Sequence, residues 1–162
     1  MLMNGGGRHT GMSSNIRCAT VADSLEVARF LMSAKNDIGY FCDIDPDQDK
    51  AVQAFETFAV RPDYFYWVIE RDGVINGVFI GLIAPIWWTW GDIANDLFFY
   101  VAPSSRGHGL KLINAYINWA KGFDSVRKIY LNVSTDDERV IKLIEQLGFK
   151  PAVKGFVMEV TK

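Results

Sequence analysis

The spacing of apolar residues changes several times along this chain, and each change marks the edge of an element. Residues 16–22 read as a short strand. Asp23 with Glu26 three positions later forms a capping-box pattern, after which Val27, Ala28, Leu31 and Met32 recur at helical spacing. Asp45 followed by Pro46 predicts the cap and first position of a second helix. The neighbouring Asp43, Asp47 and Asp49 complement its dipole. They do not make a calcium loop, because Gln48 and Ala54 stand where such a loop needs Gly and Glu. Three strands follow over residues 64–70, 74–84 and 93–101, joined by turns at Asp72-Gly73 and Gly91-Asp92 into an antiparallel meander. After Pro103 the period becomes helical again, with Leu110, Ile113, Tyr116, Ile117 and Ala120 on one face and Gly122 at the end. Residues 128–134 alternate as a strand, and a strand–helix–strand connection implies parallel pairing with a right-handed crossover. Thr135 and Glu138 form another capping box, Val140, Leu143, Ile144 and Leu147 a buried stripe, Gly148 a stop, and residues 156–160 a last strand.

The elements fit one α/β (α+β) domain over residues 15–162. With 162 residues, 49% of them apolar, the chain can bury a single core. Residues 1–14, with Gly5, Gly6, Gly7 and Gly11, read as a flexible leader or an expression remnant. The uncharged run over residues 74–91 reaches the lower edge of a membrane span, roughly 18 residues. Asn76, Gly77, Gly81 and Pro85 interrupt it, so a strand is expected and no membrane partner. A balance of 17 basic against 19 acidic residues, with no basic stripe, argues against nucleic acid as a partner. Cys18 and Cys42 have no metal-ligand spacing and are too few for a disulfide framework, which points to a reduced, cytoplasmic protein without a metal. Aromatic residues reach 14%, enough to line a pocket or an interface as well as a core.

The candidate chemistry lies between the meander and the third helix. A strand ending at Val101 leads through Arg106-Gly107-His108-Gly109 directly into that helix. Backbone amides at a positive helix end, with glycines that admit close approach, suit phosphate; such turns also occur for packing alone.

The whole body resembles the GNAT superfamily of acyl-CoA-dependent N-acyltransferases. The resemblance rests on the element order and on Arg106-Gly107-His108-Gly109-Leu110, which begins the family's Gln/Arg-x-x-Gly-x-Gly/Ala motif, with Leu147-Gly148-Phe149 as a second family habit. It implies a mixed, mostly antiparallel sheet with helices on both faces and with the fourth and fifth strands parallel and splayed. It also implies acetyl-CoA as cosubstrate, with Phe99, Tyr100 and Val101 beside the pantetheine arm. Arg106, Gly107, His108, Gly109, Leu110 and Lys111 would cradle the pyrophosphate. Lys111 replaces the motif's last Gly or Ala, Asp137 stands where an Asn often begins the last helix, and Ile144 replaces the Tyr that commonly protonates the leaving thiolate.

The implied activity is N-acetyl transfer to a primary amine by direct attack in a ternary complex; neither cysteine matches a family nucleophile. Asp96, the only acid between Ile93 and Val101, is the candidate general base, with Asn95 as its neighbour and a solvent-facing position as the alternative. Ser134 is a candidate acid for the thiolate, beside Tyr130 and Tyr100. His108 occupies a variable position whose side chain is usually exposed. Trp87, Trp88 and Trp90 would hold a small-molecule or peptide amine acceptor, or else pack under a helix or at a subunit contact. The aspartates from 43 to 49 would form an acidic rim for the amine, or simply cap their helix. Lys111 and Ile144 favour an alternative function, a catalytically reduced GNAT-fold binding protein acting on a macromolecular partner. A longer acyl donor is a third option, and the protein is expected as a monomer or homodimer.

Overall fold

The computed structural model describes residues 14–37, 45–133 and 137–152, which fall into two compact units divided after Asn132. The first unit contains β1 (Ser14–Cys18), α1 (Ser24–Ala34), α2 (Gln48–Val60), β2 (Tyr64–Arg71), β3 (Val74–Pro85), β4 (Asp92–Val101), α3 (Gly109–Lys121) and β5 (Val126–Ile129). Its strands lie in the order β1-β2-β3-β4-β5, antiparallel except for the parallel pair β4 and β5. The second unit contains α4 (Glu138–Gln146), capped by Asp137, whose side chain accepts the Arg139 N–H at 2.9 Å. α4 ends at Gly148 with φ +95°, the left-handed stop that its sequence calls for.

Period-two alternation gives the sheet two apolar faces. Tyr66, Val68, Val78 and Ile80 point one way and join Val27, Ala28 and Phe55 of α1 and α2 in one core. Phe65 and Phe79 point the other way and meet Tyr116 of α3 with ring centroids 5.6 and 4.6 Å apart. The β2–β3 turn needs positive φ at both central residues and has it at Asp72 and Gly73, 53° and 78°. The uncharged run identified in the sequence is therefore mostly β3, and among the described residues no helix is long and apolar enough to cross a membrane.

Several boundaries differ from the sequence pattern. Ser14, assigned above to the leader, already pairs with Arg71, and β1 ends at Cys18 rather than at residue 22. The chain then turns because Asp23 bends back to take the Thr20 N–H at 2.7 Å. Arg17 donates two bonds to the same carboxylate and a third to Glu70, holding Asp23 well below the usual carboxylate range. The capping partners are thus Thr20 and Asp23. Glu26 instead crosses to accept the Ile75 N–H at 3.0 Å and pins α1 to β3. α2 begins after Asp47, which accepts the Lys50 N–H, and not after Asp45, which pairs with Lys35 at 2.6 Å. β5 covers Val126–Ile129, shorter than and earlier than the expected 128–134, for a reason that bears on the site. Asp43, Thr135 and the strand expected at 156–160 lie outside the described residues.

Tyr116 fits against the sheet because Gly81 has no side chain: a Cβ there would stand 2.6 Å from the buried Tyr116 ring. Gly81→Ala is expected to cost about 1–3 kcal/mol through overpacking. Urea unfolding followed by far-ultraviolet circular dichroism measures this, and an unchanged midpoint would show that the ring is free to move.

Candidate active site

β4 carries one residue more than β3 offers partners for. Ile80 stands opposite Phe98 and Gly81 opposite Asp96, leaving Leu97 as a bulge, 47% exposed. Residues opposite each other in an antiparallel pair share a face, so Asp96 lies with Gly81 on the side of α3. Beyond the bulge, Phe99 returns to that same face and packs on Phe79 at 4.9 Å. A strict alternation would have put Asp96 and Phe99 on opposite faces; the extra residue brings them together.

The parallel ladder stops just where Asp96 sits. Pairing with β5 runs from Asp92 to Ala94, and Tyr130 N–H makes a backbone bond to Ala94 O at 2.7 Å. From there Asp96 takes over with its side chain, Oδ1 accepting the Asn132 N–H at 2.9 Å and the Asn132 Nδ2–H at 2.7 Å. β5 is short because its ladder gives way to this side-chain contact. No other described residue donates to Oδ2, and apart from Asn132 only the backbone N–H of Asp96 itself acts on the carboxylate. Asp96 is half-buried, and loss of water pushes its pKa up, with the Asn132 bonds opposing only part of the rise. Below it Tyr116, buried with its phenol pushed above the ordinary range, donates to Tyr130 O at 3.1 Å.

The glycine-rich segment between β4 and α3 is a 3-10 helix, Pro103–His108, that runs directly into α3. A 3-10 helix turns amides back onto carbonyls three residues earlier, as Ser105 N–H does on Ala102 O at 2.8 Å. Its two glycines differ in role. A Cβ on Gly109 would lie 3.3 Å from Phe99 Cζ, so that glycine lets α3 approach β4, whereas Gly107 has open space around it. Ser105 Oγ and His108 Nδ1 are buried in this turn without a described partner, while Arg106 and Lys111 are exposed and Leu110 is half-buried. These unpaired polar atoms, the open Gly107 and the two cations suit an anionic ligand, the pyrophosphate part of acetyl-CoA among them. Tyr100 of β4 ties that strand to the 3-10 turn that follows α1: its hydroxyl donates to Asp37 Oδ2 at 2.8 Å and lies within the field of Arg106.

The structure thus gathers Asp96, Phe99, Tyr100, Val101 and the segment from Arg106 to Lys111 along the second half of β4 and its continuation. It does not bring the tryptophans there. Trp87, Trp88 and Trp90 are 89%, 70% and 100% exposed at the β3–β4 connection, the opposite end of β4. At about 3.3 Å per residue, that strand separates them from the glycine turn by roughly 30 Å. No described helix of the first unit covers them, and Trp87 and Trp88 meet edge to face. Asp137 belongs to the second unit, and Ser134 lies outside the described residues. Asn132, Tyr116 and Asp37, which the structure places in contact with these groups, give no signal in the sequence, since an isolated polar residue or a ring in a helical stripe stands out only once the strands are placed.

A bulged fourth strand that parts from its parallel neighbour and feeds a helix through a glycine-rich turn is the frame of an acyltransferase. The model of the Acetyltransferase (GNAT) family matches residues 29–149, and the chain belongs to that family. Among solved structures it is similar to the ribosomal-protein-alanine N-acetyltransferase of Brucella melitensis biovar Abortus 2308, with 22% identity, TM-score 0.70 and coverage of 93% of this chain and 99% of that one. The glucosamine-6-phosphate N-acetyltransferase of Arabidopsis thaliana gives 15% identity, TM-score 0.70 and coverage of 92% and 99%. AAC(6')-Iy, in complex with the bisubstrate analogue CoA-S-monomethyl-acetylneamine, gives 17% identity, TM-score 0.66 and coverage of 93% and 99%. No curated protein matches the sequence.

Because the folded-state pKa of Asp96 is raised, ionising it opposes folding. The penalty is absent below the unfolded-state value near 4, develops as pH rises through the folded value, and stays constant above it. Asp96→Asn is therefore expected to raise the melting temperature at pH 7 and to lose that advantage toward pH 4. An equal shift at both pH values would contradict a desolvated carboxylate.

Proposed function

We propose that the protein transfers the acetyl group of acetyl-CoA to a primary amine by direct attack in a ternary complex, with Asp96 as the general base. One observation carries this reading: Asp96 sits at the point where β4 and β5 part, one carboxylate oxygen held and the other open. Acetyl-CoA, when bound, supplies the thioester acetyl and accepts the bonding pair as thiolate. Phe99, Tyr100 and Val101 line its arm on the edge that β5 leaves. Arg106 and Lys111 offset its phosphate charge, and Gly107 leaves the backbone accessible. Asp96 takes the amine proton at Oδ2, and a pKa raised by burial brings this carboxylate nearer to a useful working range for a base.

An amine acceptor agrees with the names of two similar structures, which transfer to a ribosomal-protein alanine and to glucosamine-6-phosphate. On this chain the acidic groups Asp37, Asp45, Asp47 and Asp49 flank the α1–α2 connection and would favour a cationic acceptor. The exposed indoles, distant from this cleft, favour a second reading in which the fold binds a macromolecular partner without turnover. Release of free thiol from acetyl-CoA over a panel of primary amines separates the two.

Two variants test the roles. Asp96→Asn is expected to lower kcat by about 10²–10⁴-fold, the usual contribution of a general base, while acetyl-CoA still binds. Full activity would remove Asp96 as base. Arg106→Ala is expected to weaken acetyl-CoA binding about tenfold, as befits one charge-assisted contact, by isothermal titration. Unchanged affinity would place the phosphates elsewhere.

A further inference from the structure

We infer that Asn132 is the positioning residue for the base: it clamps Asp96 Oδ1 with two donors and leaves Oδ2 as the face presented to the acceptor amine. This rests on the reading of Asp96 given above and extends it to a residue outside the family motif. Asn132 is well placed because β5 has ended. Its backbone N–H, which a continued ladder would have spent on a β4 carbonyl, is free to reach the carboxylate at 2.9 Å, and its amide adds a second bond at 2.7 Å to the same oxygen. Two donors from one residue on one oxygen fix the carboxylate's rotation as well as its place.

The residue type matters. An amide donates without adding charge, so the carboxylate is oriented but not locked in its ionised form, as it would be beside Lys or Arg. The surroundings preserve this neutrality. Gly81 faces Asp96 from β3, Tyr116 from α3, and the Tyr130 carbonyl is engaged with Tyr116; no described lysine, arginine or histidine acts on it. Asn132 is therefore the principal group opposing the upward pull of burial on the base. It sits on the exposed end of the segment, where a substitution is expected to leave folding intact.

Carbon-detected NMR on the whole protein tests this without knowledge of the acceptor. The Asp96 carboxyl signal is assigned by its absence in Asp96→Asn and then titrated in each Asn132 variant. Asn132→Ala is expected to move the Asp96 midpoint upward by about half a pH unit, since one of two donors is lost. Asn132→Asp, nearly isosteric, is expected to move it upward by more than about one unit, because two carboxylates then face each other. Acetyl-CoA affinity by isothermal titration should stay within about twofold in both, as only the base is displaced. For whichever amine gives the fastest thiol release, the acidic limb of kcat/KM should follow the same order. Midpoints that stay in place in both variants overturn the inference, even if activity falls. A shifted midpoint together with full turnover by Asp96→Asn instead overturns the reading of Asp96 as base and leaves Asn132 as a structural clamp.

Discussion

The extra residue at Leu97 is the constraint from which the site follows. A strand has a strict two-residue alternation, and a single unpaired position reverses the facing of everything on one side of it. Upstream of Leu97, β4 pairs regularly with β3 and carries Ala94 and Asp96 on the side of α3. Downstream, Phe99 and Val101 recover that same side and seat Gly109. The bulge also bends its strand, and the last pair of β4 with β5, at Ala94, lies three residues before it. The facing of Asp96, the free edge of β4 and the approach of α3 are thereby set by one insertion.

Aromatic packing holds the bulged strand in place. Tyr116 packs against Gly81, touches Phe65 and Phe79, and ends in a bond to the carbonyl of Tyr130. One side chain thus ties β2, β3, α3 and the exit of β5 together under Asp96. Removing water from this layer raises the pKa of the phenol and of the carboxylate alike. Part of the high aromatic content of the chain goes into this layer and into the Phe55–Tyr66 stack on the opposite face.

Much of this was legible in the sequence. The meander, the helix stripe from Ile113 to Ala120 and the glycine stop at Gly148 all follow from local pattern, whereas Leu112, fully buried where Leu110 was expected, does not. The motif from Arg106 to Leu110 named the family. The parts that were not legible depend on competition between distant groups. Asp23 reads as a cap for α1, yet Arg17 and Thr20 draw its carboxylate backward and Glu26 is left for β3. Alternation in residues 128–134 reads as strand throughout, yet Asp96 captures the amide that would have continued the ladder. The tryptophans are adjacent in sequence to the candidate strand, but adjacency along an extended strand becomes separation, and they lie at its far end.

That placement has a spectroscopic consequence. The chain has five tryptophans, and three of them, Trp87, Trp88 and Trp90, are already in contact with water in the native state, leaving only Trp67 and Trp119 partly sheltered. Native emission is accordingly dominated by indoles whose surroundings change little when the core opens. Loss of the fold is therefore carried in intrinsic fluorescence by Trp67 and Trp119 against a constant background, while anything that settles on the β3–β4 tip acts on the other three indoles.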